Sequence, residues 1–256
     1  MAEALLNRRD WIAGLEHGLV VLEAFDQEHA RMTASQLAFR TGLSRSAARR
    51  YLLTLAHLGY LHTDGKLFEL TPRVLRVGWS YFDSARLPRI AQPYLSQLSG
   101  RLNESCYLSV LDGWELLIIA RNGGPRVMAT GFVLGARVPP VLTSSGIVLL
   151  SYKSDHAALV QWLSAQTLVP FTPFTLTVPK PILEKISETR SQGFAVIEQQ
   201  LQVGIRGVSV PLKNRRGEVV AALSVSIPMA AESASAALQR VLPAMQDAAL
   251  SMLNVL

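Results

Sequence analysis

Between Thr33 and Ser44 the chain starts one helix, stops it and starts another, and few folds accommodate that spacing. Thr33 opens a capping box: its hydroxyl can accept from the amide three residues on, and Gln36 can reach back. Met32 and Leu37 occupy the flanking positions of a hydrophobic staple. Thr41-Gly42 ends this short helix, since glycine tolerates the left-handed turn that a Cβ resists. Ser44 then caps a further helix to about residue 58. Its apolar stripe is Ala48, Tyr51, Leu52 and Leu55, with Arg45, Ser46, Arg49 and Arg50 on the other side. Upstream, Ile12, Leu15, Leu19, Leu22 and Phe25 recur at helical spacing and predict a first amphipathic helix. Downstream, Tyr60-Leu61-His62 and Leu67-Phe68-Glu69-Leu70 flank Thr63-Asp64-Gly65-Lys66, a hairpin signal built on Asp-Gly. Three helices followed by a hairpin predict a winged helix-turn-helix.

Charge points the same way. From His29 to Thr63 there is no Asp or Glu, yet Arg31, Arg40, Arg45, Arg49 and Arg50 all lie there, within a chain of net charge +6. A one-signed patch favours a polyanion, because phosphate contacts release condensed counterions. Arg45, Arg49 and Arg50 near the start of the third helix suit a recognition helix entering a major groove, with Ser44 and Ser46 beside them and Lys66 at the hairpin tip. A merely solvated helix face and a protein-docking winged helix are the alternatives.

These residues carry a family resemblance. The run Gly42-Leu-Ser-Arg-Ser-Ala-Ala-Arg-Arg-Tyr-Leu-Leu-Thr-Leu-Ala-His-Leu-Gly-Tyr60, followed by Leu67-Phe-Glu-Leu-Thr-Pro-Arg-Val-Leu75, resembles the IclR family of bacterial regulators. The resemblance implies a DNA-binding domain over residues 1–72, a linker helix over 73–87 and an effector-binding domain over 88–256. The implied partners are double-stranded DNA with a palindromic operator, a small organic acid, and further copies of the chain as a homodimer or tetramer.

Thr71-Pro72 reads as N-cap and first turn of the linker helix. Leu75, Gly78, Trp79 and Phe82 share one of its faces, which predicts a packed connector and marks Trp79 and Phe82 as candidate dimer contacts. Leu87-Pro88 is expected to end it, with a new helix over 89–101. Beyond it, elements alternate: strands over 106–111 and 115–120 joined through Asp112-Gly113, a further strand before Gly135, and a bend at Val138-Pro139-Pro140. Helices near 143–145, over 155–163 and over 180–192 follow, with a Pro/Thr-rich loop over 167–178 between the last two. Strands over 194–197, 207–212 and 218–227 lead into a last helix from Glu232. The order predicts an α+β domain, an antiparallel sheet flanked by helices, similar to the GAF/PAS-like effector domain of the IclR family.

The C-terminal run Gly193-Phe-Ala-Val-Ile-Glu198, Val203-Gly-Ile-Arg-Gly-Val-Ser-Val-Pro211 and Gly217-Glu-Val-Val-Ala-Ala-Leu-Ser-Val-Ser-Ile-Pro228 follows the family pattern. The segments Phe171-Thr-Pro-Phe-Thr-Leu-Thr177 and Leu142-Thr-Ser-Ser-Gly-Ile-Val-Leu-Leu150 resemble the subgroup that regulates protocatechuate, 4-hydroxybenzoate and β-ketoadipate catabolism. Carried over residue by residue, the family pocket maps to Gly146, Ile147, Ile197, Ile205, Gly207, Ser224 and Ser226. Thr143, Ser144 and Ser145 add hydroxyls and free amides at a helix start, which suits a carboxylate. Ser224 and Ser226, two apart in an apolar strand, face one side of the sheet; they bond either a ligand or neighbouring backbone. Small-acid sensors of the family carry an acid at the Ile197 position and a cysteine at the Gly207 position. Their absence favours a larger acid, and Arg121, Arg137 and Arg206 are its candidate counter-charges.

An enzyme with an N-terminal oligomerisation module is the alternative function. Against it, Cys106 sits in a strand pattern without a partner histidine, the five histidines lack metal spacing, and no nucleophile elbow or phosphate loop occurs. No cofactor and no metal are expected. The most apolar run, 219–231, is too short to span a bilayer, and the opening residues lack the layout of a signal peptide. A cytoplasmic protein without membrane contact is expected.

Overall fold

The computed structural model describes residue 7 and residues 9–123 and 132–253. Two compact units divide between Asp83 and Ser84.

The first unit contains α1 (Ala13–Glu23), β1 (Arg31–Met32), α2 (Ala34–Thr41), α3 (Arg45–His57), β2 (Leu61–Thr63), β3 (Phe68–Leu70) and α4 (Leu75–Ser84). The capping box at Thr33 is complete, and Gly42 closes α2 at φ +69°. Ser44 accepts the Ala47 N–H to start α3. The hairpin turn is an Asx turn, in which the Asp64 carboxylate accepts the N–H groups of Lys66 and Leu67 at 2.9 and 2.8 Å. Val21, Met32, Leu37, Ala48, Leu52 and Phe68 form the core. The two-residue β1 adds a third strand by pairing Met32 with Phe68; it is too short to leave an alternation in the sequence.

One expectation holds in part here and another fails, for one physical reason. The helix α1 forms, and Leu22 and Phe25 pack against the core as their spacing predicts, but Ile12, Leu15 and Leu19 are 68%, 61% and 47% exposed. The linker helix α4 buries nothing, with Leu75, Val77 and Trp79 all more than half exposed. Periodicity reports that a face is apolar but not what covers it. The start of α4 is nevertheless pinned: the Thr71 hydroxyl donates to the Gly59 carbonyl at 2.6 Å, and the Arg73 guanidinium lies over the Tyr60 ring.

The second unit opens with α5 (Arg86–Leu102). Pro88 does not end a helix, as expected, but sits in the first turn of this one, where an N–H would have no intrahelical acceptor. Strands β4 (Ser105–Asp112) and β5 (Glu115–Asn122) form the Asp112-Gly113 hairpin. The strand expected before Gly135 falls largely outside the described residues, and the observed β6 (Arg137–Val138) follows that glycine. Next come α6 (Ser144–Ser151), α7 (His156–Ala165), α8 (Pro179–Gln192), β7 (Ala195–Glu198), β8 (Ile205–Lys213), β9 (Val219–Pro228) and α9 (Ala234–Leu253).

The six strands pair antiparallel in the order β6-β5-β4-β9-β8-β7. Alternation assigns the two faces. Cys106, Leu108, Val208, Val210, Leu223 and Val225 pack with residues of α5 and α9. Tyr107, Ile118, Ile197 and Ala222 pack with residues of α6, α7 and α8. Ser224 and Ser226 share the face of Ala222 and so look toward α6, as their spacing predicts.

Candidate functional site

The first unit presents the predicted basic surface in reduced form. Arg31 is paired with Asp64 and Glu69 at 3.1 and 3.2 Å, and Arg40 with Asp26 at 2.7 Å. Acids flanking the acid-free stretch therefore neutralise two of its five arginines, which linear spacing could not reveal. Arg45, Arg49 and Arg50 are exposed on α3 opposite the buried Ala48, Leu52 and Leu55, and have no ion pair among the described residues. Lys66 is exposed at the hairpin tip, and Ser46 is exposed beside Ser44, whose hydroxyl caps α3. The result is a cationic helix face followed by a cationic wing.

In the second unit a cavity of about 80 Å³ lies between the start of α6, strands β8 and β9, and the loop after β7. Thr143, Ser144, Ser145, Ile197, Ile205, Gly207, Ser224 and Ser226 line it, eight of the ten residues read from the sequence. Gly146 and Ile147 do not. Ile147 is a core residue packed on the sheet. A Cβ on Gly146 would stand 2.1 Å from the Pro140 carbonyl oxygen, so this glycine serves a backbone approach between α6 and the preceding bend. Gly207 is the glycine that faces the cavity, where a Cβ would meet the Ser144 hydroxyl oxygen at 2.7 Å.

The hydroxyls have distinct duties. Thr143 caps α6 by accepting the Gly146 N–H at 3.0 Å, so its oxygen is already engaged. Ser144 and Ser209 share a hydrogen bond of 2.7 Å, and the Ser209 hydroxyl also lies 3.4 Å from that of Ser145. The N–H groups of Ser144 and Ser145, at the first two positions of α6, have no intrahelical acceptor. They and the helix dipole give this end of the cavity a positive potential without a formal charge.

No arginine or lysine lines the cavity among the described residues. Arg137 is tied to Asp112 and Glu115, and Arg206 is buried against Glu198 at 2.6 Å. Arg121 donates to the carbonyl of Phe132, a lining residue, at 2.9 Å and so shapes the wall.

Sequence reasoning missed Phe132, Leu142 and the run Gln199-Gln200-Leu201-Gln202, all of which line the cavity. The available signal was the Thr-rich 171–177 segment. Thr172 and Thr175 donate to the carbonyls of Gln199 and Gln200 at 2.5 and 2.6 Å, and Gln200 in turn accepts the Leu176 N–H. That segment is a strut for the cavity rim. Cys106 is buried, and burial pushes its thiol up to about 12, far from a nucleophile's range.

Residues 14–65 match the model of the IclR helix-turn-helix domain, and residues 79–253 that of the bacterial transcriptional regulator IclR C-terminal domain. The chain belongs to the IclR family. Members of that family are transcriptional regulators, and this chain is one: a DNA-binding winged helix joined to an effector-binding α/β domain. It is 36% identical to the Pca operon regulatory protein of Acinetobacter baylyi over 98% of this chain and 92% of that one. It is 37% identical to the p-hydroxybenzoate hydroxylase transcriptional activator of the same organism, over 98% and 94% of the two chains. Among solved structures, a doubly mutated inducer-binding domain of the PobR transcription factor from Acinetobacter, in complex with 3-hydroxybenzoic acid, superposes with a TM-score of 0.62. That domain is 29% identical and covers 67% of this chain and all of its own. Among the described residues of this IclR regulator, no helix is long and apolar enough to cross a membrane.

Proposed function

We propose that this IclR regulator is cytoplasmic and that its binding to a palindromic operator is set by an aromatic carboxylic acid held at the start of α6. The observation that carries the reading is that one cavity joins a hydroxyl-and-amide end without formal charge to an apolar part formed by Phe132, Leu142, Ile197, Leu201 and Ile205. A carboxylate at the Ser144 and Ser145 amides gains charge-assisted hydrogen bonds, while Phe132, Leu142, Ile197 and Ile205 offer apolar surface to a ring once the walls of this small cavity part to admit it. The hydroxybenzoate bound to the related PobR domain has this chemistry.

Residues 1–72 then read DNA, residues 73–87 connect, and residues 88–256 sense. Arg45, Arg49 and Arg50 carry the major-groove and phosphate contacts, with Ser44 and Ser46 beside them and Lys66 on the wing. A two-fold dimer presents two such helices to the half-sites of a palindrome. The apolar faces of α1 and α4 are the surfaces with which a second copy would pair. The effector acts by binding two arrangements of the regulator unequally.

Calorimetric titration with 4-hydroxybenzoate, protocatechuate and β-ketoadipate, paired with operator titration in the presence and absence of each, tests the reading. At least one hydroxybenzoate should bind with one site per chain and shift operator affinity. If none of the three binds, the aromatic-acid assignment falls.

A further inference from the structure

We propose that the effector-binding domain holds a second small-molecule site, on the β4–β5 hairpin side, that takes an uncharged planar aromatic molecule. A cavity of about 440 Å³ opens between Trp114 at the hairpin turn, the bend at 139–142 and the loop that follows α7. That volume lies in the range of about 300–1,000 Å³ usual for ligand pockets. Only Leu142 is common to this cavity and the one at the start of α6.

Its walls set the ligand's shape. Trp114 and Trp162 are stacked, with ring centroids 4.7 Å apart and planes within 8° of parallel. Both are half-buried, so each keeps surface available to an occupant. The Lys153 ammonium lies 3.9 Å from the centre of the Trp114 ring and helps to hold it flat. Val141, Leu142, Leu168 and Leu176 complete an apolar lining. A rigid aromatic wall of this kind is best matched by another aromatic plane. The Pro140 side of the bend cannot retreat, because the Gly146 backbone is packed directly behind it.

Charge sets the ligand's class. Arg137 lies on the rim, but Asp112 and Glu115 hold it at 2.5 and 2.7 Å, two carboxylates against one guanidinium. The helix terminus that reaches the cavity is the C-terminal end of α7, at Gln166, whose dipole repels an anion. Both features are the reverse of those at the start of α6, and with the Lys153 ammonium held on the Trp114 ring they favour a neutral ring over a carboxylate. Gln166 and Thr167 supply polar groups for one phenol-type hydroxyl.

Methyl 4-hydroxybenzoate, the uncharged ester, is the probe, titrated against the full chain by calorimetry and intrinsic tryptophan fluorescence. It should bind saturably and quench emission. Trp162→Ala should weaken it at least tenfold, and so should Val169→Trp, which fills the cavity from a position 58% exposed and therefore not needed for folding. Gly207→Ala, in the other cavity, should leave ester binding within twofold. The proposal is overturned if the ester shows no saturable binding up to millimolar concentration. It is equally overturned if Gly207→Ala abolishes ester binding while the tryptophan variants retain it. Sedimentation supplies a third such outcome, in which Val169→Trp breaks up the assembly and no ester binds, making this face an interface between copies. Failure of 4-hydroxybenzoate to bind, with the ester still bound, would remove the effector reading and leave this site standing.

Discussion

A Cβ on Gly207 would lie 2.7 Å from the hydroxyl oxygen of Ser144, and that hydroxyl is bonded to Ser209. With β8 this close to the start of α6, a side chain at position 207 can be accommodated only if the Ser144 hydroxyl moves out of its present place. The Gly207 backbone lies outside the left-handed region, so alanine strains nothing there but the contact itself. Gly207→Ala should displace Ser144, break the Ser144–Ser209 bond and narrow the hydroxyl-lined end of the cavity. The expected loss of 4-hydroxybenzoate affinity by calorimetry is at least about tenfold, roughly 1.4 kcal/mol. Operator binding without effector should stay within twofold, since the winged helix has its own core. Unchanged acid affinity would remove Ser144 from the site.

Gly146→Ala should behave differently although it lies only two residues from Ser144. Its Cβ meets the Pro140 carbonyl oxygen at 2.1 Å and the Pro140 Cα at 2.4 Å, both backbone atoms that cannot rotate away. Overpacking of this kind costs typically about 1–3 kcal/mol. Urea denaturation should show the effector-binding domain destabilised by at least about 2 kcal/mol. A variant of wild-type stability would mean that the bend and α6 separate easily.

Arg40 and Arg49 separate structure from recognition. Arg49→Ala should cost roughly 1–3 kcal/mol of operator binding if it reads a base, or flatten the salt dependence if it meets phosphate. Arg40→Ala should leave operator affinity within twofold, because that guanidinium is occupied by Asp26 at 2.7 Å. Gel-shift titrations at two salt concentrations distinguish them. Equal losses for both would mean that Asp26 does not mask Arg40.

The exposed faces of α1 and α4 make assembly testable. Leu19 and Trp79 are 47% and 54% exposed, so Leu19→Glu and Trp79→Glu disturb no core within the chain. Each should shift the sedimenting species toward monomer at micromolar concentration. Operator affinity should fall at least about tenfold as the second half-site contact is lost. Circular dichroism should be unchanged. Dimers that persist in the double variant would place the interface elsewhere.

Local signals were legible wherever one residue's chemistry decides a boundary. Thr33, Gly42, Ser44, Asp64, Gly113 and Gly193 mark caps and turns by what their own atoms can bond or which φ they tolerate. Alternation along β9 assigned Ser224 and Ser226 to one face before any partner was known, because the period of a strand is two. Local signals in the sequence therefore determined the winged helix and the order of the sheet-bearing elements, while the family resemblance supplied Ile197, Ile205 and Gly207 of the cavity wall at the start of α6. Contacts between segments distant along the chain were invisible to it. Tertiary structure alone decided that Asp26, Asp64 and Glu69 neutralise Arg31 and Arg40, that Gly146 belongs to Pro140, and that Gly207 belongs to Ser144. It also decided that Ile12, Leu15 and Leu19 of the α1 stripe, and Leu75, Val77 and Trp79 of α4, stay exposed among the described residues. Periodicity fixes the direction in which a side chain points, but only packing determines what it meets.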